Sequence, residues 1–195
     1  PTRMSQEDQN GGGVRFSDFR PVGGLIYGII AAGVGAAAVV GLFIVRVSPK
    51  NPDFPNWSDK ATGKFLSWAF YNAHTVPLER TVAAAGRTQT ETFSLLKMYP
   101  VGDTLVFHVI PAVLLFLAGY SIANRTRRRL SATSGAIAGA SVLVGYGIAA
   151  VAGVFVLKVT QNPYTFQPAL SKTVALMVVG YPVAFGGIGG FLKGI

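Results

Sequence analysis

The sequence predicts an all-α membrane protein, a four-transmembrane-helix bundle with an extramembrane first loop that contains an amphipathic helix. Three observations carry that prediction. Half of the 195 residues are hydrophobic and only 13% are charged, which lies on the membrane side of soluble-domain averages. Four windows each hold about 20 mostly apolar residues, enough to cross ~30 Å of hydrocarbon. Glycine occurs 24 times; an internal Gly costs a soluble helix roughly 1 kcal/mol against Ala, but in lipid small residues let helix backbones approach closely.

The order of elements follows from hydropathy and charge. Residues 1–21 form a polar-rich leader with a Gly triplet, expected to be cytoplasmic and partly disordered. The first transmembrane helix, 22–45, carries no charge; it is longer than the apolar core of a secretory signal and is read as retained. The second, 104–123, contains His108 and Pro111; the third, 134–157, is rich in Gly and Ala; the fourth, 169–192, carries Lys172 near its start. A short outer loop, 158–168, joins the last two.

Orientation comes from Arg and Lys in short loops. The connection 124–133 holds Arg125, Arg127, Arg128 and Arg129, which are expected to face the cytoplasm and to contact lipid phosphates. With four crossings both termini then lie on the cytoplasmic side of a cell membrane, in agreement with Arg15, Arg20 and Lys193. The loop 46–103 has seven basic residues against five acidic ones, but long segments obey the rule weakly.

That first loop is expected outside. Pro52 and Pro55 make its start irregular, and Asn56 or Ser58 caps a helix over about 58–74. On a helical wheel Ala61, Phe65, Trp68, Ala69, Asn72 and Val76 share one face, and Lys60, Lys64, Ser67, Tyr71 and His74 the other. Such a helix lies in the headgroup plane or caps the bundle, with Trp57, Trp68 and Tyr71 as membrane-interface anchors. Pro77 ends it, and "RTQTETFSLL" beyond carries a weak strand or hairpin signal. The competing reading makes Tyr71, Asn72 and His74 a polar site above a pore; His74 has no metal partner at a spacing of three or four residues.

Within the spans, chemistry is sparse. His108 is an ionisable group one turn into the second span, a functional candidate by default. "YPVAFGGIGG" places Pro182 and four glycines in the middle of the last span, which reads first as a kinked helix whose Gly face packs on a neighbour; the alternative is an unwound backbone that would offer carbonyls to an ion. Gly24 and Gly28, Gly135 and Gly139, and Gly186 and Gly190 recur at four-residue spacing and predict close helix packing, within the chain or between chains. No nucleotide loop, Ser–His–Asp order or haem ligand set is present. The net charge of +9 flanks apolar segments, so lipid phosphate rather than nucleic acid is the expected partner. No cofactor is evident; a bound lipid is compatible with this inventory.

"WAFYNAH", the later "TQT", the proline-bearing second span and above all "YPVAFGGIGG" make the chain resemble an uncharacterised family of small multi-pass membrane proteins from haloarchaea, from about residue 22 onward. The resemblance implies a four-helix membrane protein of an extreme halophile and carries no activity or site residues. One departure is that haloarchaeal soluble surfaces are typically acidic, whereas this chain has eight acidic residues. The expected function is non-catalytic: a structural or accessory subunit packing Gly-faced helices against copies of itself or other membrane subunits. The alternative is a small transporter or channel, with His108, Tyr181 and the Pro182 helix break lining a path and His74 near its outer mouth.

Overall fold

Four helices are long and apolar enough to cross a membrane: Pro21–Val47, Leu105–Asn124, Ala132–Val156 and Leu170–Lys193, here spans 1 to 4. The structure is a computed structural model that describes residues 18–47, 58–84, 87–99, 101–126 and 130–195. The first part of the leader, the Pro52–Pro55 stretch, Trp57, and Arg127, Arg128 and Arg129 lie outside the described residues. Outward faces of the spans stay apolar, with Ile26, Ile30, Val113, Leu117, Val179 and Ile188 all exposed.

In chain order, α1 (Pro21–Val47) starts on a proline, whose missing N–H is one that a helix start leaves unpaired anyway. Helix α2 (Asp59–Asn72) is capped by Ser58, whose hydroxyl accepts from the Ala61 N–H at 3.4 Å. Strands β1 (Leu78–Ala84) and β2 (Arg87–Phe93) form a hairpin, followed by the short α3 (Leu95–Met98). Helix α4 (Leu105–Asn124) is span 2, and Asp103 accepts from its Leu105 N–H at 2.9 Å, the charge complement that a helix start favours. Span 3 is α5 (Ala132–Ala140) and α6 (Leu143–Val156), joined at Ser141 and Val142. Strands β3 (Val159–Gln161) and β4 (Tyr164–Pro168) precede span 4, which runs as α7 (Leu170–Lys172), two π-helical stretches (Thr173–Gly180 and Pro182–Gly186) and α8 (Gly187–Lys193).

Three expectations are corrected. The fold is mostly helical but not all-α: a four-stranded antiparallel sheet in the order β2-β1-β4-β3 covers one end of the bundle. The connection 158–168, read as a plain loop, supplies two of its strands, with Leu78 opposite Pro168 and Thr81 opposite Thr165. The helix of the first loop does not lie flat: Trp68 donates to the Leu157 carbonyl, Tyr71 to the Ala150 carbonyl, and His74 meets Tyr146. These partners descend eleven residues of span 3, about 16 Å at 1.5 Å per residue. Helix α2 therefore packs down among the spans and turns back at Thr75, which takes a left-handed φ of 60°. Such a segment is tolerated at that level because protein, not lipid, surrounds it.

Of the two readings of the Pro182 segment, the continuous helix with a packing face describes the structure, and the broken helix does not. Span 4 stays helical through it, with wider π winding; the Tyr181 N–H reaches back five residues to the Leu176 carbonyl. The small-residue faces are filled inside the chain. A Cβ on Gly24 or Gly28 would collide with the backbone of span 3 at Ser141 and Val142, and one on Gly135 or Gly139 with span 4 at Gly190 and Gly186. Gly119 of span 2 likewise faces the Gly186 carbonyl.

Candidate functional site

The turn at the end of α2 collects the polar side chains of "FYNAH". Asn72 donates from Nδ2 to the Val76 carbonyl at 2.7 Å, and its Oδ1 accepts from the Leu95 N–H at 2.6 Å and from Ser94. One amide thus ties that turn to the exit of the sheet. Tyr71 is fully inside, and burial pushes its phenol well above the ordinary range. His74 is 0% exposed. Its Nδ1 lies 2.7 Å from the Phe70 carbonyl and its Nε2 lies 2.5 Å from the Tyr146 hydroxyl. A carbonyl only accepts, so Nδ1 carries the proton and Tyr146 donates to Nε2. The ring also meets Phe70 edge-on and Tyr181 at a tilt, both with centroids 4.8 Å away.

Burial holds His74 neutral, lowering its pKa from 6.5 to about 4; the Phe70 carbonyl partly offsets this and His108 adds to it. With both nitrogens paired, His74 is a pin between α2 and span 3, and it sits at mid-bundle rather than at an outer mouth. Trp68 and Tyr71, expected as lipid-interface anchors, anchor α2 to span 3 instead, because their donor groups find the carbonyls of Leu157 and Ala150. The wheel was right for Ala61, Phe65, Trp68 and Ala69, all buried, and misplaced Tyr71 and His74 because the last turn of α2 is buried all round.

Above that turn lies a cavity of about 480 Å³ between the sheet, α3 and the starts of spans 2 and 4. Asn72, Thr75, Ser94, Lys97, His108, Lys172 and Leu176 line it. His108 Nδ1 sits 2.8 Å from the Ala73 carbonyl. The same reasoning puts a proton on Nδ1, which fixes the orientation of a ring that lines the cavity. The two exposed lysines give the lining a positive character, while the hydroxyls of Thr75 and Ser94 are already donated to the His74 carbonyl and to Asn72 Oδ1. Chemically this suits reversible binding of a small polar or anionic molecule.

The predicted path residues are brought together only in part. His108 reaches the cavity; Tyr181 and His74 pack on each other below it; Pro182 is buried within the helical winding of span 4. Tyr146, Lys97 and Thr75 escaped sequence reasoning. A lone Tyr in the Gly- and Ala-rich third span was the one available signal, since its hydroxyl needs a partner in an apolar setting. Among the described residues no three His, Asp or Glu side chains gather as a metal site. Arg125 lies at the far end of the bundle, over the Tyr27 ring at 5.2 Å.

Four apolar helices with aliphatic outer faces, and buried polar groups paired within the chain, define a multi-pass membrane protein. The chain belongs to DUF7978, a family of unknown function, whose match extends over residues 4–195. No curated protein and no solved structure matches it.

Proposed function

We propose that this protein is a non-catalytic small transporter that takes a small polar or anionic solute at the cavity beside His108. The sheet end faces outward and both termini face the cytoplasm. The observation that carries the reading is the cavity itself: a concave, positively lined space set into the bundle mouth, with the His108 imidazole on its wall. The π winding of span 4 supports it further, since such turns concentrate at functional sites and give this span a local slack.

The test is flux in liposomes holding the full chain and a pH-sensitive dye, challenged with phosphate, sulfate or acetate. His108→Ala is expected to abolish the pH-dependent flux. Flux unaltered by that change would remove His108 from the path and with it this reading.

A structural or accessory role is the second reading. Its original basis, glycine faces open to a neighbour, is weakened because the chain's own helices occupy those faces. What favours it is the sheet: β2 is an edge strand whose residues 87–92 are all exposed, and an open edge can accept a partner strand. A haloarchaeal membrane is the setting carried over from the resemblance. At molar salt the Debye length shrinks to about 3 Å, so only direct contacts with the lysines would hold a solute.

A further inference from the structure

At the end of the bundle opposite the sheet, a cleft of about 380 Å³ opens between the start of span 1 and the end of span 2. Phe19, Arg20, Tyr27, Ile122 and Arg125 line it. The Arg125 guanidinium rests over the Tyr27 ring, and the Arg20 backbone N–H donates to Ser141 Oγ at 2.7 Å, so the cleft is held in place by spans 1, 2 and 3. Neither arginine forms a salt bridge with a described residue. The nearby Asp18 carboxylate instead accepts from Ser134 Oγ at 2.8 Å.

Tyr27 also borders a second hollow, an apolar trough of about 180 Å³ along the outer seam of spans 1 and 2. Its walls include Ile30, Val34, Leu114 and Leu117, and the hydroxyl of Ser121 there is already committed to the Leu117 carbonyl at 2.7 Å. Two cations without a salt-bridge partner among the described residues, beside an apolar trough that shares Tyr27 as a wall and runs toward mid-span, match the layout of a single phospholipid. We propose that an anionic phospholipid occupies this seam, its phosphate between Arg20 and Arg125 and one acyl chain against Val34 and Leu117. A free phosphate would satisfy the arginines but leave the trough without an occupant. This inference is independent of the transport reading, which concerns the other end of the molecule.

Native mass spectrometry of the full chain in mild detergent, titrated with phosphatidylglycerol or phosphatidylcholine of matched acyl chains, tests it. Retained phosphatidylglycerol is expected to exceed phosphatidylcholine, with retention falling about fivefold for each arginine removed in Arg20→Gln and Arg125→Gln. The paired lysine variants, Arg20→Lys with Arg125→Lys, should restore most of it. Val34→Trp, at a half-exposed wall of the trough, should reduce retention of both lipids while leaving the arginines in place. Equal retention of the two lipids overturns the proposal. So does displacement of phosphatidylglycerol by inorganic phosphate with no effect of Val34→Trp, which would make this a site for free anions. A thermal melt of each variant separates lost binding from lost folding.

Discussion

At the residue scale, the imidazole of His74 decides how the first loop behaves. Buried and doubly bonded, it is neutral in the folded protein, with its pKa lowered to about 4 from 6.5. When α2 undocks and the ring meets water, it takes up a proton at the higher value. The folded state therefore binds fewer protons between these limits, and its stability falls as pH falls from 6.5 toward 4, then levels off once the folded form is protonated as well. The full span of that loss is about 3 kcal/mol. Thermal melts in detergent across this range are expected to show the decline for the natural chain and not for His74→Phe. That variant should start lower at neutral pH, by roughly 2–4 kcal/mol, because the Tyr146 hydroxyl and the Phe70 carbonyl lose their partner inside the protein. A decline of the same size in both proteins would assign the pH dependence to another group.

At the element scale, spans meet where side chains are missing, and the glycines divide into two kinds. A methyl on Gly139 would press into the backbone of span 4 at Gly186 and Gly190, whereas one on Gly33 would meet nothing within 4 Å. Gly139→Ala is thus expected to cost about 1–3 kcal/mol by forcing spans 3 and 4 apart. Gly33→Ala should be neutral or stabilising by up to about 1 kcal/mol, through helix propensity alone; equal melting temperatures for the two variants would contradict the packing described. This distinction marks the limit of what the sequence discloses. Apolar length alone located all four spans to within a few residues, and the cap and greasy face of α2 followed from Ser58, Phe65 and Trp68. The sheet was half visible: Thr88, Thr90 and Thr92 alternate, but the strands that complete it, β3 and β4, are three and five residues long and lie some eighty positions away. A strand that short has no periodicity of its own; its partner defines it. The same distance hid the site. Nothing near His74 in sequence announces Tyr146 or Tyr181, and a helical wheel drawn for a helix against one surface misassigns the face of a helix enclosed on every side. Pro182 left two readings open for a related reason, since composition signals a lost hydrogen bond but not whether a wider winding will absorb it.

For the molecule as a whole, the decisive quantity is which end faces which compartment. Spans alternate in direction, so the sheet gathers the end of spans 1 and 3 with the start of spans 2 and 4, and the opposite end holds Arg20, Arg125 and Lys193. That opposite end carries the basic connection between spans 2 and 3, the shortest polar link in the chain and the one whose charge weighs most on orientation. The sheet end carries charges of both signs, with Arg46, Lys60, Lys64, Arg80, Arg87, Lys97, Lys158 and Lys172 against Asp59, Glu79, Glu91 and Asp103. Most of them belong to the long first loop, which weighs little on orientation. The chain has no cysteine, so a single introduced thiol reports its own location. Thr90→Cys, exposed on β2, is expected to react with a membrane-impermeant maleimide in intact cells, whereas Ile195→Cys, 83% exposed at the other end, should react only after permeabilisation. The reverse pattern would turn the molecule over, placing the His108 cavity on the cytoplasmic side and the Arg20 and Arg125 cleft in the outer leaflet. Labelling of both thiols in intact cells would be incompatible with the three crossings that separate Thr90 from Ile195.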